Sequence, residues 1–475
     1  MRYEAVIGLE LHIQLDTQSK LFSSSPTQFG AEPNTQITEI DLGYPGVLPV
    51  LNKQAVKYAI QFGKALNAKI NPAGFFMRKN YFYPDLPKGY QISQLDDSII
   101  QGGEVSLWVD GALKKVRINR GQLEEDAGKS VHDHFSDKTG IDLNRAGMPL
   151  IELVSEPDIR SAQEAVEYMR YMHHLVRYLG ISDGNMQEGS FRCDANVSIR
   201  PVGSNVLNPR VELKNINSFR FVEQAIELEI ERQSEIMDEG GVVEQETRLF
   251  DPDKMETRVM RSKEDANDYR YFPDPDLLPV TIDEALMQSA LADLPELPQA
   301  RMERYQSAFG LERELAQFLV QSRYFADYFD ELVEQSQQPK LAANWLQGEL
   351  MRLMNQFGVD IQDVPISPKR FADLLKRIAD NTIAQSSAKK LLALLWEQEA
   401  EVDALIDEHG MKQNNDTGQV EAWIAQVLEQ YPEQVAAYRA GEAKMIGFLT
   451  GQVIKLSNKS ANPKMVNELL QAKLS

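Results

Sequence analysis

Cysteine is almost absent, since Cys193 is the single one in 475 residues. That excludes an intrachain disulfide framework and a zinc site built of several thiolates, and it fits a reducing compartment. An apolar run long enough to cross a bilayer is also missing. Met1-Arg2-Tyr3 passes straight into an alternating apolar segment, with no charged leader or small-residue cleavage site. A cytoplasmic protein with no membrane role is expected. Positive charge is in short supply as well: 50 Lys and Arg face 71 Asp and Glu, a net charge of −21. Generic polyanion binding draws its affinity from counterion release by basic residues, so any nucleic-acid contact here must be local. From Lys444 onward, Lys444, Lys455, Lys459, Lys464 and Lys473 oppose a single Glu468. Charge alone lets this tail be read equally as a solvated helical end.

With 43% hydrophobic and 25% charged residues the chain can bury a core, and its length suggests about three domains. Up to about Pro279 it is rich in strand patterns interrupted by helices and turns, so the fold class expected is α+β. The proline pair in Asp293-Leu294-Pro295-Glu296-Leu297-Pro298 marks a linker. Beyond it come amphipathic helical runs at 301–321, 341–357 and 369–378. A second break at His409-Gly410, followed by a polar stretch, sets off a tail of small helices. The expected domains are therefore 1–292, 293–408 and 409–475. Inside the first, Ser161 to Glu164 forms a capping box, Met169, Met172, Val176 and Leu179 form a helical stripe, and Gly180 ends it. A second helix runs from Ser218 to about Met237. His173 and His174, on the first helix, read as packing or surface residues.

Several strands have a chemically unusual polar face. In Leu9-Glu10-Leu11-His12-Ile13-Gln14-Leu15, strict alternation puts Glu10, His12 and Gln14 on one side, with residues two apart separated by roughly 7 Å. Glu152 lies between apolar neighbours and is expected to be buried. The stretch from Phe191 to Arg200 carries Arg192, Asp194, Asn196, Ser198 and Arg200 on one face, and Glu212 and Lys214 follow the same alternation. Any one of these is readable as a solvated antiparallel face. Together they are too rich in Glu, His, Asp, Asn and Arg. Two carboxylates about 4 Å apart repel by roughly 4 kcal/mol at an effective dielectric near 20, so a convergent set needs a cation or a raised pKa. Oxygen donors with one imidazole suit magnesium or manganese better than zinc.

Gly128-Lys129-Ser130 has the ending of a phosphate-binding loop, but the required earlier glycine is replaced by Leu123. The preceding Glu124, Glu125 and Asp126 are suited instead to a metal. Arg78 to Tyr90 interleaves bases with aromatics, as either a base-stacking, phosphate-contacting loop or an aromatic core loop. No Ser/His/Asp arrangement is visible and Cys193 falls on an apolar face, so no glutaminase or hydrolase nucleophile is expected.

In order along the chain, Tyr3 to His12, Arg78 to Gln94, Glu124 to Ser130, Asn144 to Glu152, Glu188 to Ser198, Asp268-Tyr-Arg-Tyr-Phe-Pro273, Ala342 to Leu346, Gly447 to Val453 and Ala461 to Lys464 resemble the B subunits of aspartyl/glutamyl-tRNA amidotransferases. The resemblance spans essentially the whole chain. It implies an antiparallel-sheet, cradle-shaped catalytic domain, a helical domain and a small tail that helps to hold tRNA. It implies ATP-dependent activation of the side-chain carboxylate of Glu-tRNA(Gln) or Asp-tRNA(Asn) as an acyl phosphate, with magnesium. Ammonia would come from an amidase-type A subunit, with a small C subunit bracing the pair. By the same analogy Glu10, His12, Glu125 and Glu152 are the expected metal ligands, with Asp194 and Glu212 in or beside that shell. Lys79 and Lys88 would contact phosphate or line the ammonia route, and Glu124, Glu212 and Lys214 would bind the nucleotide–metal unit. One departure stands out. Many members of that family hold a zinc with four cysteines, at positions occupied here by Ser23, Ser25, Thr38 and Asp41. No zinc is expected, and the loop must be held by packing and hydrogen bonds. Two rival readings remain, a carboxylate–amine ligase for a small substrate and a non-catalytic tRNA scaffold.

Overall fold

The computed structural model describes residues 3–131, 137–262, 268–414, 416–457 and 460–474; Met1-Arg2 and Lys459 of the basic tail fall outside them. The chain divides into two compact units, 1–297 and 298–475.

Strict alternation in the first strand, β1 (Tyr3–Gln14), buries Ile7, Leu9, Leu11 and Ile13 on one face and leaves Glu10, His12 and Gln14 half-buried on the other. The remaining strands on the main path of its sheet are β2 (Met77–Asn80), β3 (Tyr90–Ser93), β4 (Ala112–Glu125), β5 (Pro149–Ser155), β6 (Phe191–Pro201), β7 (Val211–Lys214), β8 (Glu246–Asp251), β9 (Glu256–Ser262) and β10 (Phe272–Pro273). Among the described residues the path runs β9-β8-β7-β6-β1-β5-β4-β3-β2-β10. All neighbours are antiparallel except β7 and β8.

Helices α1 (Lys53–Ala65), α2 (Ala162–Leu179) and α3 (Phe219–Asp238) supply the other half of the core, which joins Leu9, Leu11 and Val197 to Ile60, Met169, Met172 and Val222. Their ends follow the sequence signals. Ser161 accepts from Glu164 N at 3.1 Å, Gly180 closes α2 at φ +69°, and Ser218 accepts from Phe221 N at 3.1 Å. His173 packs edge-on against Phe191 and Phe219, with Nε2 2.9 Å from the Gly184 carbonyl, and Cys193 is buried in the core. Because the helices pack on the apolar face, the polar face of the central strands stays open. The fold is α+β, as the sequence implies.

The second unit is helical, with two separate apolar cores, one between Met302 and Ile406 and one between Val420 and Leu474. The run expected over 301–321 is two helices, Pro298–Phe309 and Arg313–Leu319, split at Gly310, whose φ is +61°. The run over 341–357 contains a π-helical turn at Leu346–Leu350. No helix of the described residues is long and apolar enough to cross a membrane.

Candidate functional site

Register, more than proximity in sequence, builds the polar cleft. On β1, His12 stands opposite Glu152 of β5 and Arg192 of β6, while Glu10 stands opposite Asp194 of β6. Asn196 pairs with Glu212 on β7, and Glu152 pairs with Gln122 on β4. Directly opposed residues share a face. Five adjacent strands therefore turn their polar sides in one direction.

The centre is His12. Its Nε2 lies 3.5 Å from Glu152 Oε2, 3.6 Å from Glu124 Oε1 and 3.7 Å from Glu10 Oε1. One donor atom each from Glu10, His12 and Glu152 falls within a 4.8 Å spread. Burial alone would lower the His12 pKa, but the surrounding carboxylates lift it to about 9. Glu124 is pushed up to about 7 by burial and by Glu152, and burial with Glu152 also raises Glu10. Burial opposes ionisation of Glu152 too, yet its contact with His12, with help from Lys79 and Arg120, holds it below the usual range. Three carboxylates around one imidazole are an arrangement that a divalent cation would relieve, and the donor set fits a hard or borderline metal.

These side chains line a cleft of about 400 Å³ together with Lys79, Arg192, Asp194, Glu212 and Lys214. Lys214 bridges Asp194 and Glu212, the latter at 3.1 Å. Arg192 donates to Asp126 at 3.0 Å. The cleft shares Arg192 and Asn217 with a second cavity of about 480 Å³, which shares Gln14, Gln28 and Met148 with a third of about 950 Å³.

Two expected positions exchange places. Glu124 joins His12, whereas the carboxylate of Glu125, expected among the ligands, is committed elsewhere. It is an ion-pair partner of Lys88 and accepts from Ile92 N at 2.9 Å. Neighbouring strand residues project to opposite faces, so only one of the two can turn to His12. Lys88 follows Glu125 away from the cleft lining, and Lys79 stays in it. Both faces of β4 are buried near its end, so the local pattern gave no sign of which glutamate faces inward. Gly128-Lys129-Ser130 is no phosphate cradle: Lys129–Val131 pairs with Gly140–Asp142, and Ser130 Oγ donates to Asp85 at 3.0 Å.

Ser23, Ser25, Thr38 and Asp41 do come together. Ser23 Oγ and Ser25 Oγ donate to the two Asp41 oxygens at 2.7 and 2.6 Å, and Thr38 N donates at 2.8 Å. Fully buried Lys20 balances the carboxylate at 3.6 Å. The residues present hold this loop by hydrogen bonds among themselves.

The GatB/GatE catalytic domain model matches residues 5–288, and a GatB domain model matches 327–474. The B subunit of the aspartyl/glutamyl-tRNA(Asn/Gln) amidotransferase of Dichelobacter nodosus is 63% identical over 100% of this chain and 99% of its own. The proteins of the same name from Pseudomonas savastanoi pv. phaseolicola and Pseudomonas putida KT2440 are each 54% identical over the full length of both chains. Likeness of this extent, over the full length of the chain, places it in the family of aspartyl/glutamyl-tRNA(Asn/Gln) amidotransferase B subunits.

Proposed function

We propose that the cleft around His12 activates the side-chain carboxylate of Glu-tRNA(Gln), Asp-tRNA(Asn) or both by phosphoryl transfer from ATP, and that ammonia then converts the acyl phosphate to the amide. The observation that carries this reading is the convergence of Glu10, Glu124 and Glu152 on His12 Nε2 within 3.7 Å. Bringing a carboxylate to a triphosphate joins two anions, and catalysis is mostly charge neutralisation and positioning. Glu10, His12, Glu124 and Glu152 would hold the magnesium ion that neutralises phosphate oxygens. Lys79 and Arg192 add positive charge to the lining, and Asp194 and Glu212 fix Lys214. Attack by the acceptor carboxylate oxygen on the γ-phosphorus releases ADP. Attack by ammonia on the acyl carbon then releases phosphate, and a carboxylate of the cleft takes up the proton lost from nitrogen.

Cys193 is buried, and its thiol pKa is raised well above the usual value by burial and neighbouring carboxylates, which does not suit a nucleophile. On this reading ammonia comes from a separate amidase-type A subunit, with a small C subunit completing a cytoplasmic assembly. Residues 1–292 form the catalytic domain, 293–408 the helical domain and 409–475 the tRNA-binding tail.

The test is amidation of both misacylated tRNAs with ATP, magnesium and free ammonium, with and without the amidase partner. Glu124→Gln is expected to lower turnover on the order of 100-fold while leaving tRNA binding intact. Glu125→Gln should instead act mainly on stability, because it strips the buried Lys88 of its partner. Wild-type turnover in Glu124→Gln would defeat the reading.

A further inference from the structure

Most lysines around the sheet's polar face are neutralised by a carboxylate: Lys214 by Asp194 and Glu212, Lys88 by Glu125, and Lys20 by Asp41. Lys79 differs. It lines the same cleft, and although burial opposes its charge, Tyr271, Glu124 and Glu152 raise its pKa. Among the described residues, however, its ammonium makes no ion pair or hydrogen bond. Nζ instead stands 4.9 Å from the ring centroid of Tyr269 and 5.9 Å from that of Tyr81, both within cation–π range. The two rings meet edge-on at 6.1 Å and form a corner around it.

Tyr269 reaches this corner through long-range pairing. Phe272 and Pro273 pair with Arg78 and Met77, and Asn80 N donates to the Tyr269 carbonyl at 3.0 Å. The Asn80 side chain donates to the carbonyls of Tyr269 and Arg270 at 3.1 and 2.9 Å. Arg78 binds Asp274 and Asp276 at 2.9 and 2.8 Å. The segment is thus clamped from Tyr269 onward. A lysine on a flexible stem beside carboxylates ordinarily closes onto them, as Lys88 and Lys214 do.

We propose that Tyr269 is a positioning residue whose ring, with that of Tyr81, holds the Lys79 ammonium clear of Glu124 and Glu152 and available to the phosphoryl oxygens of a nucleotide in the cleft. This rests on the nucleotide-dependent reading above, and its test reads the two separately. Wild type, Tyr269→Leu, Tyr269→Phe, Lys79→Met and the Lys79→Met/Tyr269→Leu double variant are prepared as the full chain in its assembled complex. Each is assayed for binding of magnesium tripolyphosphate without tRNA, and for amidation with ammonium as donor. Tyr269→Leu should weaken tripolyphosphate binding and lower kcat by about tenfold, with KM for aminoacyl-tRNA unchanged. Tyr269→Phe, which keeps the ring, should restore most of both. In the Lys79→Met background the leucine change should add nothing. Tyr269→Gln replaces the leucine variant if that one fails to fold. Unchanged tripolyphosphate binding in the ringless variants, an equal loss in Tyr269→Phe, or losses that multiply in the double variant would overturn the proposal. Absence of amidation by wild type would count against the earlier reading only, because the binding series is read without it.

Discussion

If His12 and Glu124 hold the proposed cation, the protonation state of the cleft depends on whether it is bound. Both have folded pKa values above their ordinary ones, about 9 against 6.5 for His12 and about 7 against 4.5 for Glu124. A raised folded value contributes stability that is complete below the unfolded value and is lost as pH rises through the folded one. The metal-free protein should therefore lose stability through pH 7 as Glu124 ionises, and further toward pH 9 as His12 gives up its proton. A divalent cation needs those same protons removed, so its binding releases protons and strengthens with pH. The rise in unfolding midpoint caused by magnesium is expected to be larger at about pH 8.5 than at about pH 6. Calorimetry in two buffers of different ionisation enthalpy measures the protons released. A magnesium effect independent of pH would contradict the assignment of His12 and Glu124 as ligands.

At the scale of the element, the two ends of the loop from Lys20 to Asp41 meet on one carboxylate, while Asn34 and Gln36 tie its middle to Ile141 and Asn144. Asp41 accepts from Ser23, Ser25 and Thr38 and faces Lys20, whose buried ammonium has its pKa lowered mainly by burial, with Asp41 opposing that shift. Gly147 lies against this group at φ +84°, and a Cβ there would stand 3.0 Å from Asp41 Oδ1, so the approach requires glycine. Asp41→Ala would take the counter-ion from a buried ammonium and the acceptor from two buried hydroxyls, at a cost of about 3–5 kcal/mol. Hydrogen exchange should show residues 20–50 losing protection before the central strands. Uniform protection in the variant would show that packing alone holds the loop. The four polar residues were visible in the sequence as replacements for cysteines. The convergence of the other three on the Asp41 carboxylate is a property of the folded loop.

At the scale of the molecule, the second unit has two apolar cores, and the tail from Val420 to Leu474 packs on its own. Removing residues 410–475 takes away that core together with the lysines beyond Lys444. The truncated protein should show a raised KM for aminoacyl-tRNA, with a weaker salt dependence of tRNA binding because fewer phosphates are neutralised. Its tripolyphosphate binding should be unchanged. Equal KM values for full-length and truncated protein would remove the tail from tRNA recognition.

The α+β class, the capped helices and the shared face of Glu10 and His12 were determined locally, because a period of two or 3.6 residues fixes which side chains share a face. The sequence patterns around Gly180, Ser161 and Ser218 likewise name their own helix ends. Which strands lie side by side is decided only by tertiary packing, and so are the partners of His12: Glu152 is 140 residues away in sequence and Glu124 is 112. The choice of Glu124 over Glu125 belongs to the same level. Both are buried, and the deciding factor is which face of β4 meets His12 once β5 has set the register. Lys79 and Tyr269 show the same limit, since the ring that holds the ammonium arrives through a strand pairing that neither segment signals alone.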